Sequence, residues 1–317
     1  MAAPRLSVVV PGFGGDKYRA GAVDGNLGRL HGMAAAGDVV LASCDIFVYV
    51  PETSLSMATL NLLIPTAAPC GCVFRRHKGH WISHVRELNT SETVADLSML
   101  FLDSIAMDAT ANVRLLADVM SANCLGLVSP ACDGCQTKIL LRPNATYNTS
   151  EHVGRLVQYA DAQLYLMTLP VLRCWHGLID LISLEVDPIG WSMVRLLPDY
   201  CRVRTGIVDA MVIHKAYGNY ATHSAQSAAT YSWRTAAVLA DKGYSKMRQL
   251  YPDLIRGSFT RIVGPLVRPA PRHLKHEQHA ARAHHGHDPD VTVEHWGMPL
   301  RCGPTASPFS KNHTPGR

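Results

Sequence analysis

Met99-Leu-Phe-Leu-Asp-Ser-Ile-Ala-Met-Asp108 is the stretch on which the fold turns. Its first four residues are an unbroken apolar run that ends at Asp103, which reads as a buried strand with an acid at its exit. Beyond it, from Thr110 to Asn123, Val113, Leu116, Val119 and Met120 recur at helical spacing and predict a one-faced amphipathic helix. Gly126-Leu-Val128 then gives a short strand before Pro130. Strands alternating with helices argue for a mostly parallel sheet covered on both faces.

The alternation continues in both directions. Upstream, Leu6-Ser-Val-Val-Val10 is a β-branched run stopped by the glycine loop Pro11-Gly-Phe-Gly-Gly15, and Cys44-Asp-Ile-Phe-Val-Tyr-Val50 is a second strand, closed by Pro51. Gly71-Cys-Val-Phe74 is a third candidate. Downstream, 156–167 is strand-like. Residues 171–182 carry Leu172, Trp175, Leu178, Ile179 and Ile182 on one helical side. Gly206-Ile-Val-Asp-Ala-Met-Val-Ile-His214 is a strong strand, and 224–249 reads as an Ala-rich helix. The strands at 6–10, 44–50, 99–102 and 206–214 are expected in one central sheet.

From about Gly257 the pattern is lost. Pro265, Pro269 and Pro271 lead into a stretch with His273, His276, His279, His284, His285, His287 and His295 and no apolar periodicity. The expected division is an α/β domain over 1–255 and a His/Pro-rich basic tail over 256–317, with 265–317 packing against nothing. The tail reads as a solvated low-complexity segment, with metal binding by its histidines as the sharper alternative.

The chain has 317 residues, 47% hydrophobic and 17% charged, enough for a substantial core and too apolar for a disordered protein. No run of 18 apolar residues free of Pro and charge is present, so no membrane span is expected. No signal sequence is expected in the opening residues, because Leu6–Val10 is short and ends in Pro-Gly. The formal charge is +5, with much of the excess in the tail, and that tail lacks interleaved aromatics. Nucleic acid is therefore not the expected partner. Four of the nine Asn stand in glycosylation sequons, at Asn89, Asn144, Asn148 and Asn312. They suggest a secretory-pathway, luminal history, with the three earlier sites on exposed loops. The nine Cys settle no pairing. Cys132-Asp-Gly-Cys135, with Cys70, Cys72 and Cys124, points to disulfides or inert thiols before zinc.

Open α/β sheets bind ligands beyond the carboxyl ends of their strands, and the candidates lie there. Gly12, Gly14 and Gly15 would let the backbone approach a phosphate, or simply form a turn, and their spacing is neither a dinucleotide fingerprint nor a P-loop. Asp103 is placed to hold a divalent cation or to cap a turn, and Asp108 suits a helix N-cap. Asp209, mid-strand in an apolar run, is a buried hydrogen-bonded acid or a site residue. His214, at a strand end, is a structural imidazole or a metal ligand.

Several of these segments together resemble the plant and algal domain-of-unknown-function 707 group and its relatives. They are Phe101-Leu-Asp-Ser-Ile-Ala-Met-Asp108, Asn112-Val-Arg-Leu-Leu116, Leu127-Val-Ser-Pro130, Tyr159-Ala-Asp-Ala-Gln163, Cys174-Trp-His176, Gly190-Trp-Ser-Met193 and Gly206–His214, in that order. The first strand with Gly12-Phe-Gly-Gly15 is similar too, so the likeness covers about 6–225. The resemblance implies a nucleotide-diphospho-sugar transferase (GT-A type) fold, with a mixed, mainly parallel sheet between helices. It implies a glycosyltransferase that moves a hexose from a nucleotide-sugar donor to an unknown acceptor in the Golgi lumen. By the same likeness Asp103 and His214 would hold Mn²⁺ or Mg²⁺ on the diphosphate. Gly12, Gly14, Gly15 and Trp191 would line the donor, and Asp209 or Asp161 would serve on the acceptor side. The sequence departs from the pattern where the family has consecutive acids after the strand, since Ser104 and Ile105 follow Asp103. Met193-Val194 likewise stands where an acid is usual. Metal site and base are both thinned, so the alternative is a non-catalytic sugar-nucleotide or glycan-binding protein that kept the fold.

Overall fold

In the computed structural model, the described residues are 2–13, 17–49, 55–77, 94–134, 142–157, 160, 163–182, 201, 203–215 and 262–270. They build a mixed α/β unit around one ten-stranded sheet. Its strands are β1 (Arg5–Phe13), β2 (Val40–Tyr49), β3 (Cys72–His77), β4 (Leu97–Phe101), β5 (Ile105–Met107), β6 (Leu127–Asp133), β7 (His152–Val157), β8 (Leu164–Thr168), β9 (Thr205–Lys215) and β10 (Ile262–Val267). The helices are α1 (Lys17–Ala35), α2 (Met57–Leu63), α3 (Val113–Asn123) and α4 (Leu169–Ile182).

The strand order is β10-β7-β9-β6-β8-β4-β1-β2-β3, with β5 pairing β9 off this path. Strands β3, β2, β1 and β4 are parallel to one another; β8 runs against β4 and β6, and β6 is again parallel to β9. Along β4 and β8 every residue is buried, as a sheet covered on both faces requires. The four expected central strands thus lie in one mainly parallel sheet, and α3 and α4 fall where the apolar spacing put them.

Three differences have clear physical causes. Pro11 does not end β1: the pairing with β2 slips by one residue between Val10 and Phe13, and the bulge absorbs a residue that cannot donate to the ladder. Pro130 is carried in β6 beside an irregularity of the partner strand: Pro130 faces Val208 and Ala131 faces Val212, so the extra residues are on β9. The strand-like stretch 156–167 is two strands, β7 and β8. The third difference is the tail. Residues 262–267 form β10, antiparallel to β7, with Leu266 fully buried. Asn123 clamps the strand by accepting from Val267 N and donating to Val267 O. The ordered sheet therefore continues past residue 255, and 265–267 pack within it. The helix expected at 224–249 and the histidines from His273 onward lie outside the described residues.

Helix α1 has no counterpart in the sequence reading. Four glycines, at 21, 25, 28 and 32, weaken its propensity, yet Ala20, Val23, Leu27 and Leu30 are buried at helical spacing. Buried on the same helix, Asn26 donates to the Ile105 carbonyl at 2.7 Å and accepts from the Met107 amide at 2.8 Å. One amide side chain so pairs with β5 as a strand would, while β9 holds its other edge.

Candidate active site at the carboxyl ends of the strands

Strands β1, β4, β6 and β9 present their carboxyl ends at one edge of the sheet. At β4 the chain leaves Phe101, turns through Asp103 and Ser104, and re-enters the sheet as β5, so Asp103 and Asp108 bracket a three-residue strand. Asp103 is only 5% exposed. A carboxylate that dry requires a cationic partner, and Arg19 supplies it: Nη1 lies 2.9 Å from each Asp103 oxygen. Arg19 belongs to the first turn of α1, which follows β1, the neighbour of β4. The pair therefore ties together two adjacent parallel strands at the edge where such sheets take ligands.

His214 lies farther along the same edge. Its register partners are Ala106 on β5 and Asp133 on β6. The ring is 47% exposed and stands between two carboxylates, with Nε2 3.8 Å from Asp108 Oδ2 and Nδ1 3.7 Å from Asp133 Oδ2. Asp108 also accepts from the Thr110 amide at 2.7 Å and from its hydroxyl at 2.6 Å. Burial pushes the Asp108 carboxyl up, but the Thr110 bonds and the His214 imidazole outweigh it, and its pKa falls below the ordinary value. Asp108 is not the cap of α3; Asn112 is, accepting from Leu115 N at 3.0 Å.

Asp209 occupies the irregular part of β9. Thr205–Val208 pair with β7 and Ile213–Lys215 with β5, and the three residues 209–211 between Val208 and Val212 have no partner in β6. Its side chain is fully buried, and the carboxylate accepts from Arg155 Nε at 2.9 Å, Arg155 Nη2 at 2.8 Å and the Asn144 amide at 2.9 Å. Desolvation raises its pKa, against the opposing charge and bonds of Arg155 and the Asn144 amide. Of the two readings the sequence left open, this is the buried hydrogen-bonded acid. Its oxygens are committed to the protein.

Among the remaining candidates, Gly12 lies in the β1 bulge rather than in a loop. Gly14, Gly15, Asp161 and Trp191 lie outside the described residues. Arg19 and Asn26, which organise this edge, were missed. The Arg19–Asp103 pair spans 84 positions and leaves no local signal.

A divalent cation does not fit the donor set described here. Both Asp103 oxygens face Arg19, and His214 faces Asp108 and Asp133 rather than Asp103. Among the described residues no three His, Cys, Asp or Glu side chains gather as a metal site. A cation on Asp103 would have to displace the guanidinium.

Cys44 and Cys72, register partners on β2 and β3, form a disulfide, as do Cys174 and Cys201. Cys124 and Cys132 are disulfide-bonded too, while Cys70 is free and buried. Cys135 lies outside the described residues. Asn148 is exposed and Asn144 half-buried in the 142–150 segment, and Asn89 and Asn312 lie outside the described residues.

No protein-family model matches the chain, and no curated protein matches it. Solved structures with a similar fold include residues 1–349 of TarS from S. aureus, at 7% identity over 66% of this chain and 60% of that one, with a TM-score of 0.41. A second TarS structure aligns at 6% identity over 66% of this chain and 36% of that one, with a TM-score of 0.39. A Bacillus anthracis protein described as a glucose-1-phosphate thymidylyltransferase, in complex with sucrose, aligns at 12% identity over 75% and 96% of the two chains, with a TM-score of 0.38. The chain thus spans less than two thirds of either TarS structure. All three likenesses are remote.

Proposed function

We propose that this chain is a GT-A-type transferase that uses a nucleotide-sugar donor and delivers its sugar to an acceptor. The observation that carries the reading is the dry Arg19–Asp103 pair where β1 and β4 end side by side. A buried, preorganised charge pair at that edge suits a site that must hold a charged diphosphate against the ends of the strands. His214, half exposed between Asp108 and Asp133, adds an imidazole between two carboxylates on the same edge. The order of motifs shared with the domain-of-unknown-function 707 group supports the sugar-nucleotide class. A hexose is the sugar that resemblance favours. The disulfides and the surface placement of Asn148 support an oxidising, luminal compartment.

One observation favours the non-catalytic alternative. Asp209 is sealed by Arg155, so it offers no base to an acceptor. A panel of nucleotide sugars, followed for binding and for release of nucleoside diphosphate, separates the two. Binding with turnover of one donor is the expected result. Binding without turnover of any donor means a sugar-nucleotide-binding protein, and no binding at all removes both readings.

A further inference from the structure

We propose that Asn148 carries an N-linked glycan on its amide nitrogen; the inference rests on the luminal compartment proposed above and is independent of the donor site. Asn148-Thr-Ser150 has the acceptor spacing, and all three residues are exposed in the turn before β7. The amide is already oriented. Arg268 Nη2 lies 2.8 Å from Asn148 Oδ1. A guanidinium only donates, so the oxygen is the atom that faces it, and Nδ2 is left for the glycan. Arg268 holds the same turn through the Thr149 carbonyl at 3.0 Å and the His152 carbonyl at 3.1 Å. The Thr149 hydroxyl accepts from the Glu151 and His152 amides, so the turn that presents Asn148 is tied at several points. Transfer of an oligosaccharide from a lipid-diphosphate donor, by a transferase of the lumen, forms the bond from Nδ2 to the sugar's anomeric carbon. It breaks the bond from that carbon to the phosphate oxygen; the lipid diphosphate leaves with the electron pair, and one amide proton is lost. Oδ1 takes no part, so the Arg268 bond survives the modification.

Asn144 heads the neighbouring sequon, Asn144-Ala-Thr146, and is placed less well. Its side chain is half-buried, and Oδ1 accepts from the Thr146 amide at 3.0 Å. Its backbone N–H is bound to the buried Asp209 carboxylate at 2.9 Å. An amide built in beside the Arg155–Asp209 pair leaves less room for a sugar than one on an exposed turn. The sheet order also sets β7 four strands from β4. At the usual strand spacing that is roughly 19 Å, so a glycan in the turn before β7 leaves the β1–β4 edge open to a donor.

The test is peptide sequencing by mass spectrometry on the full chain isolated from the cells that make it. Glycosidase release in heavy-oxygen water leaves a labelled aspartate wherever a glycan stood. Label at position 148 is the expected result. An unlabelled Asn148, with or without label at position 144, would overturn the inference. Alkylation of the same sample without reduction keeps the two readings apart. If Asn148 is bare and Cys44 and Cys72 are still joined, the site is wrong and the compartment stands. If Asn148 is bare and both cysteines alkylate, the compartment reading falls with it. The nucleotide-sugar reading is untouched by either outcome. Ser150→Ala removes the acceptor hydroxyl and leaves Asn148 and its bond to Arg268 in place, so the expressed chain should lose one glycan in gel mobility. Ser150→Thr should keep that glycan. An unchanged mobility in the Ser150→Ala chain would overturn the assignment as well.

Discussion

Arg155 and Asp209 show how one buried residue dictates another. Arg155 is 1% exposed, and its guanidinium also donates to the Arg142 carbonyl at 3.0 Å. Removing one member leaves the other charged, dry and unpaired. Arg155→Met is therefore expected to cost about 3–5 kcal/mol of stability, measured by denaturant unfolding, whereas Arg155→Met with Asp209→Leu should regain most of it. A single variant as stable as wild type would mean the pair is hydrated. Sequence alone showed Asp209 as a polar residue in an apolar strand. It could not show the partner, because Arg155 is 54 positions away and reaches it across β7 and β9. Asp103 was legible for the same reason, an acid at the exit of an apolar strand, and Arg19 was not.

At the scale of elements, the legible parts were those whose apolar pattern matches a single period. β4 is apolar but for Ser98 because both faces are covered, and α3 shows one stripe because it has one buried side. Elements with mixed signals were lost. The glycines of α1 hide its stripe, β5 is three residues long, and the prolines at 11 and 130 look like stops until the bulges are seen. Gly154 of β7 faces Val208 of β9. A Cβ there would lie inside van der Waals contact of the Ile207 carbonyl oxygen and 2.8 Å from Val208 Cα, so β7 approaches β9 only because the side chain is missing. The obstacle is backbone, which yields poorly. Gly154→Ala is expected to destabilise by about 3 kcal/mol, at the upper end of the usual overpacking range, in equilibrium unfolding. A change within ±0.5 kcal/mol would contradict the close β7–β9 pairing.

The described residues form one sheet whose two ends are sewn differently. At the β3 end a disulfide joins Cys44 to Cys72; at the other, β10 returns from beyond residue 255 to cover β7. The composition of the C-terminal region, rich in Pro and His, obscured that six of its residues complete the fold. Leu266 is fully buried and Arg268 N donates to the Glu151 carbonyl at 2.8 Å. Truncation after residue 261 should therefore lower the melting temperature by about 5 °C or more, since burying one leucine contributes about 2 kcal/mol. An unchanged melting temperature would show that β10 adds nothing to the sheet.

The central claim is that a sugar nucleotide docks where β1 and β4 end, against Arg19 and Asp103. Hydrogen–deuterium exchange of the full chain, with and without a saturating nucleoside diphosphate, tests it most directly. Slowed exchange is predicted in the first turn of α1 and through 102–108, the segment that Asn26 and β9 hold in place. Protection confined to the β7–β10 side of the sheet, with those two segments unchanged, would contradict the account.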